Sequence, residues 1–158
     1  MAWVGITSAG AQAVASLLQG FLPEPLLKHL DMANNALAQL REEYTPHKFM
    51  HGFNLNTSKL LNTADSSLGN AKNKKSQGGY LLFLTENHTH SLAGYMCLLM
   101  FRSAQSKRVA NSTMQAETLS KLQGVEAGMF LQTWLYELDH PTATAREMLA
   151  LPGKELMS

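Results

Sequence analysis

The sequence YLLFLTENHTHSLAGYMCLLMFR (80–102) decides the fold class, because two apolar runs flank a short polar connection. The runs Tyr80–Thr85 and Leu92–Arg102 are rich in aliphatic and aromatic residues, and ENHTHS between them is short enough for a hairpin loop. A further short run, Lys59–Ala64 (KLLNTA), reads as a strand that stops at Asp65. The pattern predicts a three-stranded antiparallel sheet.

Apolar residues recur with helical spacing in the sequence both before and after these strands. Two helices are predicted at 8–21 and 24–43, and the longest helix extends from 112 to 139, before a proline. A short helix at 142–150 follows, and HKFMHGFNL (47–55) is a possible additional strand. The element order predicts a chain of the α/β class, α+β by order, in which the long helix packs on the sheet.

The apolar residues of the long helix predict which of its sides meets the sheet. The predicted stripe comprises Ala116, Leu119, Leu122, Val125, Ala127, Phe130, Leu131, Trp134 and Leu138. In the second helix the corresponding stripe is Leu26, Leu27, Leu30, Ala33, Leu37 and Leu40.

Length and composition limit the classes of function. The chain has 158 residues, 45% of them hydrophobic, which is enough for one ordinary domain with a core. Only 16% are charged, against about a quarter in a typical soluble domain, which fits a piece of a larger assembly. The net charge of +1 gives no global attraction to nucleic acid or anionic lipid, so any such binding must come from local patches of charge.

Cysteine usage and hydropathy point to an intracellular protein, cytoplasmic or nuclear and not secreted. The single Cys97 excludes an internal disulfide framework and a cysteine zinc site, and in an apolar strand it reads as an inert core residue. The N-terminus lacks the basic and apolar regions of a signal peptide. The longest apolar run, Leu92 to Phe101, is half the roughly 20 residues of a membrane helix, so no membrane contact is expected.

Two carboxylates are candidates for a divalent-metal site. Asp65 follows an apolar strand, and Glu117 lies one turn into the long helix. Hard cations such as Mg²⁺ need oxygen ligands held by rigid elements. Spacing alone leaves open the alternative of a solvated strand-end aspartate and an ordinary helix glutamate.

Three segments in succession resemble the polyprotein of copia-type LTR retrotransposons. RSAQSKRVANSTMQAETLSKLQGVEA (102–127) is similar to the helix entry of their ribonuclease H domain. NTADSSLGNAKNKKSQGGYLLFLT (62–85) resembles the opening of that domain, and LLKHLDMANNALAQLREE (26–43) resembles the helix that precedes it. The resemblance implies a helical connection-like segment at 1–57, a partial ribonuclease H-like domain at 58–140 and a C-terminal helix or tail at 141–158.

The family implies a nuclease that cuts the RNA strand of an RNA–DNA hybrid with two Mg²⁺ or Mn²⁺ ions, about 4 Å apart. Asp65 and Glu117 match the family's first two catalytic, metal-binding carboxylates. We therefore expect their carboxyl groups to lie within about 10 Å of each other, the reach of a two-metal site.

Four further residues are candidates for contact with the nucleic acid: two match the family, and two are cations that lie close to them in the sequence. Ser112 and Thr113, which also read as a helix cap, fall where the family approaches the minor groove and its 2′-hydroxyls. Lys107 and Arg108 are placed to neutralise phosphates.

One departure from the family predicts weak metal binding and no activity. The family's third carboxylate lies on a strand beyond the long helix, which this sequence does not include. Asp139 is no substitute, because it lies about 33 Å from Glu117 along one helix that rises about 1.5 Å per residue. The sequence thus predicts an inactive nuclease fragment, normally joined to the remainder of a Pol polyprotein, with an uncovered sheet edge that favours self-association.

A non-catalytic scaffold, or an interaction module for nucleic acid or protein, is the alternative. His88 and His90 are interpreted as exposed turn residues more readily than as ligands of a metal ion. Lys72, Lys74 and Lys75 are read as a solvated basic loop more readily than as a nucleic-acid contact.

Overall fold

The computed structural model describes residues 8–42, 57–69, 74–85, 96–144 and 147. These residues form three helices and one three-stranded antiparallel sheet. The elements in chain order are α1 (Ala9–Gly20), α2 (Leu27–Glu42), β1 (Lys59–Ser67), β2 (Gln77–Thr85), β3 (Met96–Gln105) and α3 (Thr113–Asp139). The predicted combination of helices with a three-stranded antiparallel sheet is confirmed. Within the described ranges, no helix combines the length and the apolar character needed to cross a bilayer.

The strand order is β1-β2-β3, and both pairs are antiparallel. The end of β1, the start of β2 and the end of β3 lie side by side, because Ser67 pairs with Gln77 and Gln77 with Gln105. We call this the Gln77 end of the sheet. The α3 helix begins after β3 and therefore starts at the same end.

Strand β1 continues past its predicted end at Ala64, so that Asp65 is within the strand and pairs with Gly79. The prediction that β1 stops at Asp65 is wrong. Strand β2 likewise begins before its predicted start at Tyr80, because Gly78 and Gly79 belong to the ladder and not to a turn.

Close approach of neighbouring chain segments accounts for these two glycines. A Cβ at Gly78 would lie 3.1 Å from Oγ of Ser120, and one at Gly79 would lie 3.0 Å from the carbonyl oxygen of Arg102. Glycine is common where backbones approach this closely, even though it weakens a strand interior.

The two faces of the sheet are covered by different helices. The hydrophobic core lies between α3 and strands β1 and β2, and it comprises Leu60, Tyr80, Leu82, Leu84 and Leu131. The α1 helix packs against β3 on the opposite face, where Gln77 donates a hydrogen bond to Ser16, and α2 packs on α1. Side chains alternate between faces along a strand, so neighbouring residues of β1 lie on opposite faces of the sheet.

The predicted stripe of α3 is wrong in part. The buried residues of this helix are Ala116, Ser120, Gly124, Gly128 and Leu131. Large side chains of the predicted stripe are exposed, namely Leu122, Phe130, Trp134 and Leu138. Small residues line the side toward the sheet because α3 lies close to the backbones of β1 and β2.

The predicted stripe of α2 is also wrong in part, since Leu26, Leu27 and Leu30 are exposed. The buried residues of α2 are His29 and Ala36. The His29 ring stacks on Phe21 at 4.2 Å, and its Nδ1 accepts the Leu26 N–H.

Some predictions fall outside the described residues. These are the possible strand at 47–55, the residues 92–95 of the third strand, His88, His90 and Lys72. Of the basic loop, Lys74 is exposed with a φ of 56° and Lys75 is half-buried. The C-terminal helix does not begin at Thr142, which lies in a turn, whereas Glu147 is helical.

Candidate functional site

Ser120 joins α3 to the sheet at the position of Asp65. Its hydroxyl oxygen accepts the Gly79 N–H at 3.1 Å. As a donor, the same hydroxyl lies 2.8 Å from the Asp65 carbonyl and 2.9 Å from the Gly79 carbonyl. Ser120 is only 3% exposed, so these bonds form in a region from which water is excluded. The helix is thus fixed against the β1–β2 pair next to a predicted site residue.

The Asp65 carboxylate is exposed to solvent. Its Oδ1 accepts the Ser66 N–H at 2.7 Å. Leu60 and Ala64 belong to the core under α3, so strand alternation places the Asp65 side chain on the opposite, α1-facing side of the sheet.

Glu117 lies on α3 one helical turn before Ser120. Two turns separate it from Gly124, so it belongs to the sheet-facing side of the helix, yet it is exposed. Its neighbour Ala116 and the next-turn residue Ser120 are buried, so Glu117 lies at the solvent boundary of the face that packs on the sheet.

Asp65 and Glu117 therefore lie at the same end of the sheet, but the Asp65 side chain is on the face toward α1, whereas Glu117 is on the face covered by α3. Among the described strands β1 is an edge strand, and the two carboxylates meet only if the Asp65 side chain turns round that edge. Their separation of less than about 10 Å stays a prediction, based on the reach of a two-metal site.

The chemistry of these donors fits one hard cation, weakly held. Carboxylate oxygens suit Mg²⁺ and Mn²⁺, and both groups are open to water that would fill the remaining coordination positions. Within the described ranges, no group of three or more His, Cys, Asp or Glu residues is placed to hold a metal. Because α3 is continuous from Thr113 to Asp139, Asp139 lies at the far end of the helix from Glu117.

Ser112 caps the N-terminus of α3. Its hydroxyl accepts the Gln115 N–H at 3.1 Å, while Oε1 of Gln115 accepts the Asn111 N–H at 2.8 Å. Ser112 and Thr113 are both exposed at the Gln77 end. The predicted helix cap is confirmed, and the hydroxyl of Thr113 lies in the first helical turn.

Lys107 and Arg108 lie in the loop between β3 and α3, and both are exposed. Ser106 holds this loop, since its hydroxyl accepts the Arg108 N–H at 3.3 Å and donates to the Arg108 carbonyl at 2.8 Å. The Ser106 N–H donates to the Ser76 carbonyl at 2.7 Å, which attaches the loop to the Gln77 end. All six predicted site residues thus lie at one end of the sheet.

Sequence reasoning missed Ser120 and Gln77, two buried neutral residues that organise this end. The signal for Ser120 was the recurrence of small residues at every fourth position of α3, from Ala116 to Gly128. Gln77 carried no comparable signal, because it stood in a stretch rich in turn formers.

Fold and site together define a chain in which a three-stranded antiparallel sheet lies between helices, with polar and charged residues gathered at one end. No protein-family model, no curated protein and no solved structure matches it. Function is therefore inferred from the residues at the Gln77 end.

Proposed function

We propose that this chain is a ribonuclease H-like segment of a copia-type retrotransposon Pol polyprotein, which contacts an RNA–DNA hybrid and does not cut it by itself. The observation that carries the proposal is the Ser120 hydroxyl, which joins the main chain of Asp65 to α3 one turn from Glu117. This bond holds the β1 backbone at Asp65 against α3, one turn from Glu117. The family resemblance implies a strand carboxylate and a helix carboxylate at these two positions.

Asp65 and Glu117 would hold one Mg²⁺ or Mn²⁺ ion, with water in the other positions. A bound ion of this kind supplies Lewis-acid activation of water and charge stabilisation at a phosphodiester. Two carboxylates offset only two of the four charges that a pair of ions brings, so the second ion has no adequate ligand set among the residues that the structure describes. Catalysis by two ions depends on their fixed relation, and we therefore expect no measurable cleavage.

Contact with the hybrid would come from the loop and the helix start at the Gln77 end. Lys107 and Arg108 are exposed cations in a loop that Ser106 holds by hydrogen bonds, and side chains of this type make most phosphate contacts. The hydroxyls of Ser112 and Thr113 lie beside them and are suited to a minor groove lined with 2′-hydroxyls. Since the chain as a whole carries only +1, the remainder of the polyprotein would supply most of the affinity.

A second candidate is a non-catalytic scaffold or interaction module, and one observation favours it. The Asp65 side chain projects from the face away from α3, so that its carboxylate and that of Glu117 are not on a common face of the sheet. Such a module would keep the nucleic-acid contact and bind no metal between these two residues.

Cleavage is tested by incubating the purified chain with an RNA–DNA hybrid and Mg²⁺ or Mn²⁺, beside the variants Asp65→Asn and Glu117→Gln. We expect no product from any of the three proteins. Cleavage that disappears in both variants would show an active site and overturn the inactive assignment. Cleavage that is equal in all three indicates a contaminating nuclease.

Binding is tested by fluorescence anisotropy with a labelled hybrid. The double variant Lys107→Ala/Arg108→Ala is compared with Lys28→Ala/Arg41→Ala, which removes one lysine and one arginine from exposed positions of α2. We expect only the first variant to weaken binding and to lower the salt dependence, by about one unit of slope for each phosphate that the side chains no longer neutralise. An equal weakening in the two variants would contradict a site at the Gln77 end.

A further inference from the structure

Exposed residues form one continuous row along α3. The residues at every fourth position of this part of the helix are all exposed, and they comprise Leu122, Glu126, Phe130, Trp134 and Leu138. We call this row the 122–138 ridge. At 1.5 Å per residue the ridge is about 24 Å long, or four turns of helix. Rows with this spacing are the ridges that fit into the grooves of a second helix when two helices pack.

The ridge carries more apolar surface than a solvated helix face normally does. Phe130 is 66% exposed, Trp134 is 49% exposed and Leu138 is 61% exposed. Met129 precedes Phe130 and extends the exposed apolar surface to the side of α3 away from the sheet. Residues four apart are neighbours on a helix, so these side chains form one contiguous patch. Single exposed apolar residues are ordinary, whereas a contiguous apolar patch marks an interaction site.

The described sheet ends before the ridge does. Leu131 is the last buried residue of α3, and it packs in the core with Leu60, the second residue of β1. The helix continues for about two turns beyond Leu131. Trp134 and Leu138 follow Leu131 by three and seven residues, so they lie close to its side of the helix. Because no strand residue is described beside these last turns, the two side chains remain open to solvent.

The charge of this part of α3 is negative. Between 122 and 139 the sequence has no lysine or arginine, and its acidic residues are Glu126, Glu137 and Asp139. The carboxyl end of the helix adds the negative partial charge of its free carbonyl groups. Lys121 lies nine residues before Phe130, which is two and a half turns, so it points to the opposite side of α3. The apolar ridge is therefore bordered by carboxylates and by no side-chain cation of α3.

This charge decides between the kinds of molecule that could cover the ridge. A second copy of the chain would bring the carboxylates of two ridges together, and like charges at an interface are unfavourable. Nucleic acid and anionic lipid surfaces would be repelled for the same reason. A helix whose apolar face is bordered by lysine and arginine would match both the apolar side chains and the carboxylates of the ridge.

We propose that the 122–138 ridge docks a basic amphipathic helix of a partner protein. Phe130 and Trp134, near the middle of the exposed apolar patch, would be its anchors, because large side chains at the centre of an interface carry most of the binding energy. Glu126 and Glu137 would pair with cations at the border, where charge governs partner choice and association rate more than affinity. The ridge lies beyond the first turns of α3, so this docking does not depend on the function proposed for the Gln77 end.

The test uses a fluorescein-labelled peptide of leucine and lysine alone, about 16 residues long to match the ridge, with its leucines at helical spacing. Its anisotropy is measured on titration with the full chain. The control probe has the same leucines and a glutamate in place of every lysine. We expect saturable binding of the lysine probe and at least about tenfold weaker binding of the glutamate probe, because its charges repel the carboxylates of the ridge. Equal binding of the two probes, or no saturable binding of the lysine probe, would overturn the proposal.

Paired variants locate the lysine probe on the ridge. Leu138→Ala is compared with Leu30→Ala, because Leu30 of α2 is 58% exposed and thus almost as open as Leu138. We expect only Leu138→Ala to weaken binding, by about fivefold, through the loss of part of one buried leucine side chain. Glu126→Gln is compared with Glu42→Gln at an exposed position of α2, and only the first should weaken binding, by up to about fivefold at low salt. An equal effect within either pair would contradict docking on the ridge.

Two other occupants of the ridge are recognised from the chain without any probe. If a second copy covered the ridge, Leu138→Ala would reduce the apparent mass on a size-exclusion column and Leu30→Ala would not. If another part of the same chain covered it, Leu138→Ala would lower the Tm clearly more than Leu30→Ala. We expect neither difference, and either one would overturn the proposal.

Discussion

At Gly124, α3 packs tightly on the side chain of Asn62 in β1. A Cβ there would lie 2.5 Å from Oδ1 and 2.7 Å from Nδ2 of Asn62, which is 5% exposed. We expect Gly124→Ala to lower the free energy of unfolding by about 1–3 kcal/mol, because overpacking of a buried contact forces the helix or Asn62 to move. Denaturant unfolding, with the slope checked against the unmodified chain, measures this change.

Gly20 provides the matched control for that substitution. It is the last residue of α1, and a Cβ there would meet nothing within 4 Å. Gly20→Ala should leave the stability unchanged or raise it by up to about 1 kcal/mol, through the better helix propensity of alanine. If both variants were destabilised alike, the close contact at Asn62 would not be the cause.

Charged residues of the site were easier to predict than the neutral ones that position them. Asp65, Glu117, Lys107 and Arg108 carry formal charges at recognisable spacings, and the structure brings them to one end of the sheet. Ser120 is neutral, and its role depends on which backbone lies opposite, which the spacing of small residues along α3 does not reveal.

At the scale of the element, the stability of the first turn of α3 depends on its N-cap. We expect Ser112→Ala to cost about 1 kcal/mol of stability, because the Gln115 N–H loses its acceptor. Thr118→Ala is the control, since the Thr118 hydroxyl donates to the Met114 carbonyl on an exposed face and should matter by less than about 0.5 kcal/mol. Thermal unfolding of both variants distinguishes the cap from a general effect of removing a hydroxyl.

The hydrogen bonds between Thr144 and Glu147 should respond to pH. The Thr144 N–H and then the Thr144 hydroxyl, both bonded to the carboxylate, lower the pKa of Glu147. A lowered folded-state pKa means that the carboxylate bonds are present above the ordinary pKa of glutamate and are lost as the pH falls through the folded-state value. We expect the Thr144 amide proton shift to titrate in this acidic range and not to titrate in Glu147→Gln.

The number and pairing of strands could be predicted because hairpin patterns are local, whereas the strand ends could not. Gly78 and Gly79 are typical of turns, yet they lie in β2 because α3 and β3 leave no space for a Cβ. The sheet-facing side of α3 was mispredicted for the same reason. Large residues such as Phe130 and Trp134 dominate a helical pattern, but a helix close to the strands buries serine and glycine.

At the scale of the whole molecule, strands β1 and β3 each have one neighbour among the described strands. An edge strand presents unpaired N–H and C=O groups that a second copy can pair with. We expect concentration-dependent self-association, measured by light scattering on a size-exclusion column. Thr63→Lys, at an exposed position of β1, should reduce it, because a lysine on an edge disfavours strand addition.

Thr118→Lys adds the same charge on an exposed position of α3, away from the edge, and is the control. Self-association that falls equally in both variants would indicate a net-charge effect and not edge pairing. Packing of α1 on β3 could not be predicted at this scale, since the period of a helix defines its buried side and not its partner.

The hydroxyl of Ser120 has a consequence for the order in which the molecule opens. It is bonded to main-chain groups of two adjacent strands, so α3 cannot slide or rotate by one residue without breaking the bonds to both. We therefore expect local fluctuations of β1, β2 and the first half of α3 to be coupled into one cooperative unit, whose hydrogen-bonded amides exchange with solvent more slowly than those of the rest of the molecule. The α2 helix, which packs on α1, can open at a lower free energy and leave that unit intact.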